Sequence, residues 1–211
     1  MSRDRVLHAA LRLADRRGIE SLTMRNLARE LGVEAMTLYY YVPNKDAVLE
    51  GIADLVASEI ELPDPGPDWK TATRQRALSA HQVLIRHPWS SMLWMRVNIG
   101  PARMRYMDSA LRGFREAGLS PAMTELAFHA VENHIVGYTL QEMSFTLPPE
   151  DLAEFADEFL RQLPTDEYPY LAEHVRQHMT HESIGGGDFE FGLELLLDGI
   201  ERVRAQEDGR S

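Results

Sequence analysis

Two short helical segments joined by a single glycine constrain this chain more than any other feature of its sequence. Residues 23–31 carry apolar side chains at the three-to-four spacing of a helix, and a second short segment follows over residues 34–41. Gly32 stops the first segment, and Thr23 can cap it because a threonine hydroxyl accepts from backbone N–H groups of the next turn. A helix, a tight turn and a second helix are therefore expected in this part of the chain.

The remainder of the chain also has the spacing of helices. A first helix is predicted over residues 3–17, and Asn44 is placed to cap a fourth. The prolines of segment 62–68 exclude helix there and suggest a hinge between a small head and a larger body. Further helices are predicted at 69–87, 89–97, 101–117, 121–145, 149–162, 168–182 and 189–206. No strand-like alternation persists, so the predicted fold class is all-α.

The distribution of charge matters more than its sum. The net charge of −11 argues at first sight against nucleic acid, but residues 1–45 hold eight Arg and Lys against five acids. The head therefore carries +3 and the remaining residues −14. A locally basic head can attract phosphates while an acidic body stays away from them.

Two absences narrow the class of protein. The chain contains no cysteine, which excludes a disulfide framework, a thiolate metal site and a cysteine nucleophile. No apolar run approaches the roughly 18 residues of a membrane span, and the N-terminus lacks a signal-peptide pattern. A cytoplasmic protein without a membrane partner, a cofactor or a resident metal is expected.

The second helix of the pair has a composition suited to reading DNA. Val33 and Leu38 are placed to anchor it to the core of the head, and three consecutive tyrosines follow, which cannot all be buried. Exposed hydroxyls can donate to phosphates, and the small residues beside them allow close approach to a groove. The sequence thus predicts a recognition helix.

The run Leu22–Lys45 resembles the DNA-binding head of the TetR family of repressors. It has the form Leu-Thr-x-Arg-x-Leu-Ala-x-x-Leu-Gly-Val-Glu-x-x-Thr-Leu-Tyr-x-x-Val-x-Asn-Lys. Residues 189–201 look like the final dimerising helix of the tetracycline-repressor branch, and residues 136–140 are similar to the end of its other dimer helix. The resemblance is dense in the head and sparse in the body.

The resemblance implies an organisation and a function. We expect a three-helix helix-turn-helix domain over residues 1–45, a connecting helix over 45–61, and a helical ligand-binding and dimerisation domain over 69–206. The protein would be a homodimeric repressor that binds a near-palindromic operator in double-stranded DNA and is released by a small molecule. The residues expected to contact DNA are Arg25, Ala35, Met36, Thr37, Tyr39, Tyr40, Tyr41 and Lys45.

The body is expected to hold both a dimer interface and a ligand site. The interface residues, which are apolar positions of the two dimer helices, are Ile135, Tyr138, Phe191, Leu195, Leu196 and Ile200. The candidate ligand residues are large apolar groups with a few polar ones: His81, Trp94, Met95, Met104, Met107, Phe128, Glu132 and Asn133. Methionine and tryptophan suit pockets for varied apolar ligands. Taken one by one, such residues more often serve ordinary core packing, so the ligand site is mainly what the resemblance implies.

Tetracycline itself is not the expected ligand. An ungapped alignment places Glu61, Arg76, Ala80 and Trp94 where the tetracycline repressor presents His, Asn, Phe and His for the drug and its magnesium. Losing those groups removes the metal-binding chemistry. An apolar or amphipathic ligand, or one that carries a cationic group, is expected instead.

Several alternatives stay open at this stage. The regulator could lack a small-molecule ligand, or could activate transcription instead of repressing it. A hydrolytic enzyme built on His129, Glu132 and His134 is a further alternative, although no recognised catalytic motif supports it. The histidines of a late helix could bind a divalent metal or could simply be solvated: His174, His178 and His181.

Overall fold

The regular structure of the chain is helical throughout the residues that the computed structural model describes, which are 1–64, 68–94, 99–144, 148, 151–180 and 187–208. The first helices are α1 (Arg3–Arg17), α2 (Met24–Leu31), α3 (Ala35–Leu38), α4 (Lys45–Ser58), α5 (Trp69–Arg86) and α6 (Ser91–Trp94). The later ones are α7 (Pro101–Glu116), α8 (Pro121–Ser144), α9 (Leu152–Gln162), α10 (Pro169–Thr180) and α11 (Gly187–Asp208). The all-α prediction is confirmed.

Helices α1 to α3 pack around a small apolar core, and side-chain caps define where they begin. The hydroxyl of Ser2 accepts from the Arg5 N–H, that of Thr23 from the Asn26 N–H at 3.1 Å, and Asn44 Oδ1 from the Ala47 N–H at 2.8 Å. Each cap satisfies one of the N–H groups that a helix start leaves unpaired. The caps expected at Thr23 and Asn44 are both present.

Helix α3 is shorter than its sequence suggested. The predicted segment 34–41 forms helix only over Ala35–Leu38, and the amides of Tyr41 and Val42 then both bond to the Leu38 carbonyl. Pro43 sets a limit beyond this turn, because the residue before a proline, here Val42, is disfavoured in the helical region. The tyrosines therefore lie on a turn at the end of the helix.

Helix α4 joins the head to the body. Its buried face, which includes Val48, Leu49, Ile52 and Val56, packs against α1 on one side and against α5 and α7 on the other. One continuous core extends from the head through α4 into the body. A shift of α4 would therefore change the packing of both the head and the body.

The body is built on α5, α7 and α8, which pack against one another, with α11 laid on α8 and α5. Helices α9 and α10 pair with each other at one side. The predicted helix 89–97 appears as a 3₁₀ turn over Pro88–Ser90 followed by α6, and residues 95–98 lie outside the described ranges.

Candidate DNA-binding surface and ligand cavity

The turn between α2 and α3 sets the direction of the recognition helix. Gly32 ends α2 in the left-handed region with φ +67°, where an L side chain would be strained. The next amide, of Val33, donates to the Ala28 carbonyl at 3.0 Å. Leu38 is fully buried and Val33 packs on the core, so these two residues anchor α3 as predicted.

The residues predicted to contact DNA lie on one surface but are not equally exposed. Tyr40 is 87% and Met36 73% exposed, and Tyr39 is exposed as well. Ala35 and Tyr41 are half-buried and pack partly against the core of the head. The other three, Arg25, Thr37 and Lys45, lie at or near the surface, Thr37 being the most covered.

Lys45 occupies the first position of α4, beside its cap. The N-terminus of this helix carries a partial positive charge, and the exposed ammonium of Lys45 adds to it. Together they form a positive site suited to a phosphate group. Arg16, another cation of the head, is already paired with Glu30 at 2.5 Å.

A cavity of about 440 Å³ lies between α6, α7 and α8. Five of the predicted ligand residues line it: Trp94, Met107, Phe128, Glu132 and Asn133. Six further residues complete the lining: Arg103, Tyr106, His129, Val136, Gly137 and Leu140. The α8 members recur at three-to-four spacing from 128 to 140, a pattern that could have identified them, but one helix face cannot be told from another without its neighbours.

Two predicted ligand residues, Met104 and His81, are not among the residues that line this cavity. Met104 points outward from α7 and is half-exposed, while Met95 lies outside the described residues. His81 is buried on the other side of α8, where its Nδ1 lies 2.9 Å from Thr139 Oγ1 and its ring stacks on Phe189 at 4.3 Å. Burial lowers the pKa of His81, although Glu142 acts in the opposite direction.

The acidic group of the cavity is fully engaged by donors. Glu132 Oε1 accepts from Arg76 Nη1 at 3.0 Å and from the Tyr106 hydroxyl at 2.6 Å, and Oε2 lies 3.5 Å from Trp94 Nε1. Burial raises the pKa of Tyr106 well above its ordinary value, so the phenol stays a neutral donor. The alignment placed Arg76 at a drug-binding position, but here it serves as the counter-ion of Glu132.

Arg103 links the cavity to α4. Its guanidinium lies 5.3 Å from the centre of the Trp94 ring and donates to the Trp94 carbonyl, and its burial lowers its pKa. Its backbone N–H donates to Asp54 Oδ1 on α4 at 3.0 Å. A side chain at Gly100 would overlap the Asp54 carboxylate, so this close approach requires glycine. The start of α7 is thus capped by a residue of α4.

The predicted dimer residues divide between the surface and the interior. Phe191 is 68% exposed, Leu195 is exposed, and Tyr138 and Leu196 are half-buried. The prediction is wrong for Ile135, which is 0% exposed, and for Ile200, which is also buried. Both residues face the interior because α8 and α11 pack on each other within the subunit. The same helices expose two leucines that were not predicted, Leu126 and Leu140.

The residues of the enzyme alternative are not brought together. Glu132 and His129 line the cavity, but His134 faces α11, with Nε2 2.8 Å from the Phe189 carbonyl oxygen. Of the histidines considered for metal, His181 and the side chain of His178 lie outside the description. Among the described residues, no group of three or more His, Asp or Glu is arranged to hold a metal ion.

Every helix in the described ranges is too short or too polar to span a lipid bilayer.

Two family models together match most of the chain. The model described as bacterial regulatory proteins, tetR family, matches residues 6–52. The model described as tetracyclin repressor-like, C-terminal domain, matches residues 62–204.

Named relatives and solved structures agree with these matches. The chain is 33% identical to the HTH-type transcriptional repressor DrrR1 of Streptomyces coeruleorubidus, over 99% of this chain and 80% of that protein. It is 30% identical to the class D tetracycline repressor protein of Escherichia coli, over 95% and 89%. The crystal structure of apo ActR from Streptomyces coelicolor superposes with a TM-score of 0.84 at 26% identity, covering 98% of both chains.

Proposed function

This chain belongs to the TetR family of DNA-binding transcriptional regulators, and from that premise we propose that it is a homodimeric repressor released from its operator by a small molecule. The observation that carries the proposal is the cavity of about 440 Å³, whose wall residue Arg103 is bonded through its backbone to α4. ActR of Streptomyces coelicolor has been crystallised with actinorhodin, which supports a ligand role for the equivalent part of this fold.

Operator recognition is assigned to the exposed surface of α3 and the start of α4. Thr37, Met36 and Tyr40 would enter the major groove, since the buried Leu38 fixes the side of α3 that faces outward. Lys45 would neutralise a phosphate, and Arg25 would approach a base or a phosphate nearby. Ala35 would allow close approach, and Tyr39 and Tyr41 would pack along the DNA backbone.

Dimerisation is assigned to the outward faces of α8 and α11. Phe191 and Leu195 are exposed apolar side chains, with Tyr138 and Leu196 half-buried beside them. A patch of that kind is typical of a subunit interface. Two heads held in this way would read half-sites about one helical turn, roughly 34–36 Å, apart.

The cavity favours an amphipathic ligand with an aromatic or otherwise flat apolar part. Trp94, Phe128 and Met107 supply apolar contact, while His129 and Asn133 supply polar groups. Glu132 is already bonded to Arg76 and Tyr106, so it is not placed to serve as the counter-ion of a cationic ligand. A neutral ligand is therefore preferred over a cationic one.

We assign the DNA-binding head to residues 1–45, the connecting helix to 45–61 and the ligand-binding and dimerisation body to 69–206. We assign no catalytic role, since the candidate cavity is coupled to a DNA-binding head. The compartment that holds the chromosome, the bacterial cytoplasm, is the place where such a protein acts.

The deciding experiment has two stages. Selection of bound duplexes from random DNA by the purified protein should enrich a near-palindrome with half-sites one helical turn apart. That operator then becomes the probe in a fluorescence-anisotropy screen of flat amphipathic compounds, in which a hit should release DNA.

Each stage can fail separately. No enriched sequence, from a protein shown to be folded and dimeric, would overturn the operator assignment. A good operator with no releasing compound, and no thermal stabilisation by any compound, would favour a regulator controlled by its abundance or by a protein partner. Substituting Phe128→Ala and Lys45→Ala separates the two activities, because only the first should alter release.

A further inference from the structure

One glycine of the body lies inside a long helix, where a glycine is unfavourable. Gly137 belongs to α8, a helix of 24 residues, and lies well away from both of its ends. A glycine inside a helix costs about 1 kcal/mol relative to alanine, because it loses more conformational freedom on folding and exposes the backbone to water. The position therefore calls for a physical reason.

The two usual reasons for a glycine do not apply at residue 137. Gly32 is required by a left-handed backbone, whereas Gly137 is not among the glycines of positive φ in the described ranges. Gly192 is required by packing, since a Cβ there would lie 2.6 Å from Cε1 of the His134 ring. A Cβ built on Gly137 meets no atom within 4 Å. Neither the backbone nor the packing of the subunit excludes a side chain at this position.

The open space beside Gly137 belongs to the mouth of the ligand cavity. Gly137 lines the cavity together with His129 and Asn133, which precede it by eight and four residues along one side of α8. All three are exposed, whereas the lining residues Trp94 of α6 and Tyr106 of α7 are buried. The cavity is thus closed against α6 and α7 and open along this edge of α8, which we call the rim.

We propose that Gly137 sets the upper size limit of the ligand by leaving the rim open where the far end of a flat molecule crosses α8. This inference deepens the proposed ligand release and rests on it. Trp94 and Phe128 hold one end of the ring system in the closed part of the cavity, and the bare backbone at residue 137 lets the other end pass. Any side chain at residue 137 narrows this passage, so it excludes long ring systems and tolerates short ones.

Leu140 forms another part of the rim. It follows Gly137 by three residues, the spacing at which side chains on one helix are neighbours. It also lines the cavity, and it is 40% exposed. Shortening the side chain at residue 140 should therefore compensate for a side chain added at residue 137.

The experiment compares two neutral, fluorescent alcohols that differ in the size of their flat ring system. Pyrenemethanol has the larger fused ring system and naphthalenemethanol the smaller, and fluorescence titration of the purified protein measures the dissociation constant of each. In Gly137→Leu we expect the affinity for pyrenemethanol to fall by about tenfold or more, since one methylene group in an apolar pocket already changes discrimination by roughly 10- to 200-fold. Naphthalenemethanol should bind as it does to the parent.

The matched control adds the same kind of side chain elsewhere on α8. Ala122 is exposed and does not line the cavity, so Ala122→Leu should bind both alcohols like the parent. Equal weakening of the two alcohols in Gly137→Leu, or no weakening of either, would overturn the proposal.

A double variant tests whether the loss is a matter of space. Gly137→Leu combined with Leu140→Ala should regain most of the affinity for pyrenemethanol, a recovery that general damage to α8 would not allow. A double variant that binds pyrenemethanol as weakly as Gly137→Leu alone would count against a size limit at the rim.

Close approach of a second subunit is the other use of a small residue on an exposed helix face. Sedimentation equilibrium of Gly137→Leu decides this point, and we expect the oligomeric state of the parent. A variant that dissociates would assign Gly137 to the subunit interface and refute the size limit, as would a parent protein that does not bind pyrenemethanol. None of these measurements contains DNA, so a size limit found in a protein that no ligand releases from DNA would refute only the proposed function.

Discussion

The hydrogen bonds within the head connect residues that are close in sequence, whereas those around the cavity of the body connect residues that are far apart in sequence. In the head, Thr23 caps Asn26 and Asn44 caps Ala47, in each case three residues along the chain. In the body, the Glu132 cluster joins residues 26 and 56 apart. The head is therefore specified by local sequence, while the cavity depends on which helices meet. The two regions should respond to substitution in different ways.

The largest effect is expected inside the body. Glu132→Ala leaves the buried guanidinium of Arg76 without its counter-ion, and breaking a buried ion pair in this way costs about 3–5 kcal/mol of unfolding free energy. Denaturant unfolding measures it. Glu158→Ala is the control, because the Glu158–Arg161 pair is exposed and contributes about 0.5 kcal/mol or less. Similar losses in the two variants would contradict the buried cluster.

The next effect concerns the head and its function, and leaves stability unchanged. Lys45→Ala should weaken operator binding for every sequence and flatten the salt dependence, by about 0.9 in the logarithmic slope for each lost phosphate contact. Titrations at several salt concentrations provide the slope. Lys70→Ala removes the same charge from the body, where the ammonium bonds to Asp198, and should leave the slope unaltered.

Glycine substitutions should have opposite signs in the two regions. Gly32→Ala places a Cβ on a left-handed residue and should cost about 1–2 kcal/mol of unfolding free energy. Gly137→Ala lies within α8 with no atom near the added methyl, so folding should be unaffected or favoured by up to about 1 kcal/mol. Chemical denaturation of both variants measures the difference. A destabilised Gly137→Ala would mean that this face of α8 is already covered.

The smallest effect is a dependence of stability on pH that originates in the body. Burial lowers the pKa of His81, so the unfolded chain binds its proton more readily than the folded chain. The contribution of the buried, neutral His81 ring to folding stability is therefore complete above the ordinary pKa of 6.5. It is lost as the pH falls below that value. Unfolding free energies at pH 7.5 and 5.5 should differ less in His81→Gln than in the parent. His129→Gln, at an exposed position, should retain the parent difference.

The sequence predicted the head well because its signals are local. Thr23, Gly32 and Asn44 each act on residues within a turn of themselves, so caps, helix ends and the anchoring by Leu38 follow from short spacings. The one clear difference is the early end of α3, which stops at Leu38 instead of continuing to Tyr41. The same reasoning gave the helices of the body nearly at their observed bounds.

The cavity and the interface were predicted only in part, because they depend on the rotation of helices about their axes. On α8, Phe128 and Glu132 face the cavity while Ile135 faces the interior of the subunit. At 3.6 residues per turn these positions differ by about a sixth of a turn or less around the helix axis, which composition does not resolve. Arg103 was missed for a different reason, since an arginine on an amphipathic helix is normally solvated.

The bond between α4 and α7 also sets how strongly the two halves of the protein can influence each other. If the first turn of α7 moved away from Asp54, the Arg103 N–H would lose its acceptor, and an unpaired buried donor costs about 1–3 kcal/mol. That cost is as large as the interaction free energy between two sites in many regulated proteins, which changes affinity by about 5- to 150-fold. Such an interaction is reciprocal. Operator DNA would weaken the binding of a compound in the cavity by the same factor by which the compound weakens the binding of DNA.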